Sequence, residues 1–468
     1  MKFVNRNSEL NYLEKEYQRP DSNFVVIYGR RRVGKTRLIK EFIQKKPHIY
    51  FLCDKEIEIN LLRRMKTSIA LFLNDDVLEK MEVKAWDGLF LYLLNHADTS
   101  QKMIIIIDEF QYLAKANPAI PSIFQRLWDE ALQHKNIFLI LCGSLIHMMY
   151  NTTLSYKSPL YGRRTGQIRL NPIAFTDFKN FYPEFSFIQL VEHYTVTGGV
   201  PKYIEIFDSQ KNIFENIESF ILNKNEYLYH EPRFILNEEV TEVMTYFSIL
   251  QTIAQGEQKI GNIAARLNIS SPNLTKYIEI MIDMDILERQ VPVTEKFPNK
   301  SKKGLYFIKD NFFRFWFSYI FPFQSQLEME NISYVLEKIH NDFSMFVAPI
   351  FESVSKDLVA YWNASGLLPA HFQRWGRWWN RDIEIDVIAL NEETKEILFC
   401  ECKWTSKPVD LNVFMQLKEK ANHVDWFKNN RKEYFMLFSK AGFTGQLKEF
   451  ARKHNILLTD GFDLRESE

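Results

Sequence analysis

Three sets of residues have types and spacings that could do chemistry. The first is Gly29-x-x-x-x-Gly34-Lys35-Thr36. Glycines at this spacing let backbone amides turn inward onto phosphate oxygens; Lys35 would reach the β- and γ-phosphates of a nucleotide and Thr36 would hold Mg²⁺. The second is Asp108-Glu109, at the end of "KMIIIIDEFQYL". The third is Asp386, then fourteen intervening residues, then Glu401-x-Lys403, with Cys400 and Cys402 bracketing the glutamate. That last stretch admits a thiol metal clip, a plain pair of strands, or a cleavage site of carboxylates and a lysine.

The elements that must carry these residues are legible in the flanking pattern. "FVVIY" before Gly29 is a short, apolar, β-branched strand, and "RLIKEFI" after Thr36 has helical apolar spacing, so the glycine loop sits between strand and helix. The helix N-terminus adds its dipole to the phosphate cradle. The isoleucine run before Asp108 predicts a central parallel strand buried on both faces. Asp108 falls at its C-terminal end, where ligands bind in open α/β sheets. Asp108 is expected in the Mg²⁺ shell, and Glu109 is expected to orient or deprotonate the attacking water. "NIFLILCGS" predicts another buried strand ending in Ser144. A γ-phosphate sensor and a simple strand-ending turn both fit that serine.

Near the C-terminus "DIEIDVIAL" alternates, "NEETKE" turns and "ILFCECKW" alternates again, a hairpin-like pair. With a period of two, Glu401 and Lys403 share one face while Cys400 and Cys402 share the other. Strand pairing can bring Asp386 beside Glu401 and Lys403. Two cysteines without a following Cys/His pair do not make a structural zinc site, so they are expected to be ordinary core residues.

Between these regions Ile260, Ile263, Ala264 and Leu267 lie on one helical face, "NIS" turns, Ser271 suits an N-cap and Pro272 the first helical position. Leu274, Ile278, Met281 and Ile282 form the next stripe, which completes a helix-turn-helix. "LERQVPV" and "GLYFI" then predict two strands around "TEKFPNKSKK", a wing. The second helix exposes Asn273, Thr275, Lys276, Glu279 and Asp283, which does not support base readout. Lys296, Lys300, Lys302 and Lys303 on the wing could contact DNA phosphates, or form a solvated loop.

Composition sets the frame. The 468 residues suggest about three domains. Hydrophobic residues at 46% and charged residues at 25% suit a globular protein, and a net charge of zero leaves no global field for nucleic acid or membrane, so any such contact needs a local patch. Four cysteines predict a reducing compartment, the charged start lacks a signal-peptide core, and "FFRFWFSYIFPF" is too short to span a bilayer. The expectation is a soluble, cytoplasmic protein with no membrane partner.

"GRRRVGKT", "IIIIDEFQ", "LILCGS" and "PLYGRRTGQIRLNPIAF" resemble the archaeal-type P-loop ATPase family within the AAA+/STAND division. "FVNRNSELNYL" is similar to that family's lead-in near the nucleotide base, and "TGGVPKYI" to its glycine-proline motif in a helical lid. The resemblance implies Gly199 and Pro201 near the adenine; a helix-breaking turn is the plainer reading. Arg163 and Arg164 could supply charge to the phosphoryl transition state, in cis or from a neighbouring copy, or be solvated on a loop. "YFIKDNFFRFWFSYIFP" resembles the module following the ATPase and is expected to be an aromatic spine. "WGRWWNRDIEIDVIAL" with "FCECKW" resembles the PD-(D/E)xK nuclease superfamily. That resemblance implies Mg²⁺ held by Asp386 and Glu401 and a bound water oriented by Lys403. It also points to a further helical acid, for which Glu352 is the candidate although it lies off the stripe of Ile350, Val354, Leu358 and Tyr361; Gln416 is a weaker one.

The expected architecture is therefore an α/β P-loop NTPase parallel sheet (1–175) with a helical lid (176–235), a winged helix (236–310), an aromatic helical connector (311–345) and a restriction-endonuclease-like α/β domain (346–468). The expected function is an ATP- and Mg²⁺-dependent ATPase coupled to a metal-dependent nuclease-like domain acting on DNA. The rival is a nucleotide-controlled switch that meets a protein partner or a second copy and carries an inactive nuclease fold.

Overall fold

The computed structural model describes residues 3–98 and 100–464. The chain divides into two compact units, Met1–Pro172 and Ile173–Glu468.

The first unit is built on five parallel strands: β1 (Asn23–Tyr28), β2 (His48–Leu52), β3 (Met103–Asp108), β4 (Ile137–Gly143) and β5 (Gly166–Arg169), in the order β2-β3-β4-β1-β5. The isoleucine run of β3 is buried on both sides: Ile105 and Ile107 join Phe24 and Val26 in one core, Ile104 and Ile106 join Val25 and Ile27 in the other. Each such side chain contributes about 2 kcal/mol of burial, which anchors the strand ends that carry polar residues. Because β4 lies between β1 and β3, the ends of the three strands meet in a row. The loop after β1 then enters the helix Lys35–Phe42. Gly29 is obligatory: a Cβ there would stand 2.3 Å from the Leu170 carbonyl oxygen. Arg6 braces the loop by donating to the carbonyls of Val33 at 3.2 Å and Asn171 at 2.6 Å.

The second unit begins with helices. Among them Ile260–Leu267 and Ser271–Asp283 are joined by a short turn with Asn268 in the left-handed region, φ 52°, and are followed by the antiparallel pair β6 (Leu287–Gln290) and β7 (Leu305–Ile308). Ser270, not Ser271, occupies the N-cap position, with no side-chain cap bond. The cap lies one residue earlier than expected because both serines precede Pro272 and the apolar stripe cannot choose between them. The aromatic segment forms the helix Asn311–Phe315 and a π-helical turn, Trp316–Ile320, whose Trp316 Nε1 donates to the Tyr229 carbonyl at 2.7 Å. One long helix, Ile332–Ala364, runs unbroken through residues 345 and 346.

That helix packs on a second sheet: β8 (Arg374–Asn380), β9 (Ile383–Asn391), β10 (Glu396–Lys403), β11 (Lys432–Ser439) and β12 (Leu457–Thr459), in the order β12-β11-β10-β9-β8. β8, β9 and β10 pair antiparallel, while β10, β11 and β12 pair parallel. Tyr361, expected on the buried stripe, is 52% exposed; Trp362 is buried instead, which turns the buried face of the helix toward Phe351 and Ser355. Gly376 pairs with Ile388 and Trp378 with Ile385, so two steps along β8 span three along β9. The extra residue is a bulge. Ile385 and Ile388 share one core whereas Val387 joins the other, so the alternation breaks at Asp386.

Candidate functional site

In the first unit the three strand ends converge. Lys35 is buried and its Nζ donates to the carbonyls of Gly29 at 2.8 Å and Arg30 at 2.9 Å. Burial lowers its pKa, partly countered by the charges of Glu109 and Asp108. Thr36 Oγ1 donates to Asp108 Oδ2 at 2.8 Å, and the Tyr50 hydroxyl, on β2, donates to the same oxygen at 2.6 Å. The other carboxylate oxygen accepts from the Glu109 amide at 2.9 Å. A hydroxyl beside a buried carboxylate is a hard oxygen pair of the type Mg²⁺ takes.

Glu109 has left-handed backbone, φ 56°, a costly state for a glutamate that surrounding structure must hold. Its Oε2 accepts from Ser144 Oγ at 2.6 Å, from the Ser144 amide at 3.3 Å and from Gln111 Nε2. Gly143 leaves room for this arrangement, since a Cβ there would meet Gln111 Oε1 at 2.2 Å. Ser144 therefore reaches the proposed water-orienting acid. Arg163 grips Asp129 through Nε and Nη2, the latter at 3.1 Å, and also donates to the Pro159 carbonyl, so it braces its loop. Arg164 lies over the Tyr161 ring, 5.6 Å from its centroid.

In the second unit the β9 bulge turns Asp386 toward the end of β10, where its Oδ2 accepts from the Cys402 amide at 2.7 Å. Burial, then the charges of Glu352 and Glu401, push its pKa up to about 8. Glu401 is buried; one oxygen accepts from Lys403 Nζ at 2.8 Å, and both accept from Lys420 Nζ, at 2.8 and 3.0 Å. Burial pulls the Lys403 pKa down, but Glu401 and Asp386 outweigh it and the net shift is upward. Glu352 is pushed up by burial, with Arg377 opposing; the Arg377 guanidinium lies 3.9 Å from it and 2.7 Å from Glu384. Asp386 thus feels the charges of both Glu352 and Glu401. Among the described residues, however, no group of three or more His, Cys, Asp or Glu is gathered to hold a metal ion. Cys400 and Cys402 are free and buried.

Residues 3–207 match a family described as an ATPase domain predominantly from Archaea. The chain is 38% identical over 402 residues to an uncharacterised protein of Methanocaldococcus jannaschii, covering 86% of this chain and 87% of that one. The chain belongs to the archaeal ATPase family. An uncharacterised ATP-binding protein of the same organism is 52% identical over 44 residues, 9% of this chain and 75% of that one. Residues 316–422 match a second family, of archaeal and bacterial proteins of unknown function; Glu352, Asp386, Glu401, Lys403 and Lys420 all fall inside it. A Walker-type ATPase of Pyrococcus abyssi shares the fold, with TM-score 0.50 and 19% identity over 67% of this chain and 96% of that one.

In this ATPase the structure gathers Gly29, Gly34, Lys35, Thr36, Asp108, Glu109 and Ser144 at the C-terminal ends of β1, β3 and β4. Gly199 and Pro201 lie in the second unit, where Gly199 is pressed on the Ile173 backbone, a Cβ falling 1.8 Å from its carbonyl oxygen, and Pro201 opens the helix Pro201–Ile206. Close backbone approach alone requires that glycine. Tyr50, Lys420 and Arg377 escaped the sequence reading. Lys420 had a signal: it lies one helical turn beyond Gln416, and Gln416 itself is exposed.

Proposed function

We propose that this ATPase hydrolyses ATP with Lys35, Thr36, Asp108 and Glu109 and acts on a DNA phosphodiester with Asp386, Glu401 and Lys403. Mg²⁺, when bound, neutralises phosphate charge and lowers the pKa of a coordinated water. At the first site the amides of residues 29–34 would cradle phosphates, Lys35 would leave its loop carbonyls for the β- and γ-phosphates, and Thr36 with Asp108 would hold the cation. Glu109 takes the proton of, or orients, the attacking water, with Ser144 fixing its carboxylate.

At the second site the observation that carries the reading is the bulge that turns Asp386 out of the apolar alternation toward Glu401 and Lys403. Bulges commonly re-aim side chains beside active sites. Asp386 and Glu401 would hold the cation and Lys403 would orient a water or steady charge on the phosphorus oxygens. The four buried free thiols favour a reducing, cytoplasmic setting. Among the described residues no helix is long and apolar enough to cross a membrane. The experiment is a cleavage assay on linear and structured DNA with Mg²⁺ or Mn²⁺, with and without ATP. Loss of cleavage in Asp386→Ala supports the reading, and no cleavage by the unaltered chain under any metal overturns it.

A second reading, a nucleotide-controlled switch with an inactive nuclease-like fold, is favoured by one feature: both Glu401 oxygens are occupied by ammonium groups. A cation would have to displace Lys420. In that case ATP hydrolysis persists, DNA stays whole, and a partner or a second copy binds in a nucleotide-dependent way.

A further inference from the structure

The loop between β6 and β7 is held in one shape. Arg289 forks onto the carbonyls of Pro298 at 3.0 Å and Ser301 at 2.5 Å. Gly304 admits that guanidinium, since a Cβ would sit 2.5 Å from its Nε. Lys303 pairs with Glu295 at 2.8 Å, so it is neutralised and drops out of the basic set expected for the wing. The base of the loop is stitched to the edge strand β8: the Val293 amide donates to the Arg377 carbonyl at 3.0 Å, and Arg374 Nη2 donates to the carbonyls of Val293 and Glu295. Arg377 is the residue whose guanidinium meets Glu352 and Glu384. What this scaffold presents at its tip is Phe297, 64% exposed, with Lys296 Nζ 5.8 Å from its ring centre, and the exposed Lys300 and Lys302.

We infer that this tip is a landing surface for single-stranded nucleic acid, with Phe297 stacking on a base and Lys296, Lys300 and Lys302 holding flanking phosphates. An aromatic ring set among cations is the recurring device for binding a strand without reading its sequence, because every base has a π-face. A duplex is the poorer fit. The helix Ser271–Asp283, which would have to enter a groove, exposes Lys276 beside Glu279, an acid that offsets the one base it would present to a phosphate backbone. The inference rests on the phosphodiester reading of the Asp386 site for its purpose, and the stitching of the loop to β8 gives it a route to that site.

The test is fluorescence anisotropy on the full chain in EDTA without nucleotide, using a labelled oligothymidylate of roughly 20 nucleotides and a duplex of equal length. The strand is expected to bind at least about tenfold tighter than the duplex. Phe297→Ala should weaken strand binding about tenfold with its salt slope unchanged, and Phe297→Tyr should retain it. Changing Lys296, Lys300 and Lys302 together to Gln should flatten the slope of log affinity on log salt by about 2. Binding of Phe297→Ala within about twofold of the unaltered chain, a duplex preference, or binding to phosphatidylserine vesicles with none to the oligonucleotide would each overturn it. Since EDTA removes any metal-dependent cleavage, an inert Asp386 site leaves this result untouched and is detected separately by the cleavage assay.

Discussion

Ser144 Oγ donates to Glu109 Oε2 across 2.6 Å, joining the end of β4 to the residue just past β3. A hydroxyl that fixes the water-orienting acid acts on turnover more than on binding. Ser144→Ala should lower kcat for ATP about tenfold while leaving ATP and ADP affinities within about twofold, measured by steady-state kinetics and nucleotide titration. A serine whose work is to read the γ-phosphate would instead lose its preference for ATP over ADP.

Lys35 is a buried ammonium whose Nζ donates to the carbonyls of Gly29 and Arg30. Lys35→Met keeps the length and drops the charge, so the nucleotide-free melting temperature should hold or rise. The gain in stability from ATP with Mg²⁺, about 2.7 kcal/mol at a hundredfold excess over Kd, should vanish. Thermal scans with and without nucleotide check both.

Lys420 occupies both oxygens of Glu401. If Glu401 holds a cation, Lys420→Ala removes a competitor, and Mn²⁺ affinity measured by calorimetry should rise about threefold to tenfold. Unchanged affinity would mean that Glu401 serves its lysines and not a metal.

His193 is buried against Phe185 and Tyr182, with Nδ1 donating to the Gln189 carbonyl at 2.8 Å. Burial depresses its pKa from 6.5 to about 4, against the pull of that carbonyl. The unfolded chain then binds more protons between those values, so stability is full above pH 6.5 and falls as the pH drops toward about 4. His193→Phe should remove about 3 kcal/mol of that acid loss, seen as a flatter pH dependence of urea midpoints. An identical slope in the variant would assign the acid sensitivity elsewhere.

The first site was legible because its residues are contiguous: loop, strand end and strand end each announce themselves by local pattern. Tyr50 was not, since it reaches Asp108 only because β2 lies beside β3 in a register no local pattern fixes. At the second site alternation put Glu401 and Lys403 on one face, but the bulge at Asp386 hides in an apolar run. Glu352, the candidate helical acid, lies off the single expected stripe; the helix that bears it is buried over Phe351, Val354, Ser355, Leu358 and Trp362, a wider arc than that stripe allows. Lys420 and Arg377 come from neighbouring elements, and only the packing selects which long cations reach an acid.

The most direct measurement pairs two activities in one preparation: ATP hydrolysis and metal-dependent DNA cleavage by the unaltered chain, Asp386→Asn and Glu401→Gln. The account predicts that both variants hydrolyse ATP normally and lose cleavage by a factor of about a hundred or more. Cleavage persisting in both variants, or absent from the unaltered chain while ATP is hydrolysed, would contradict it.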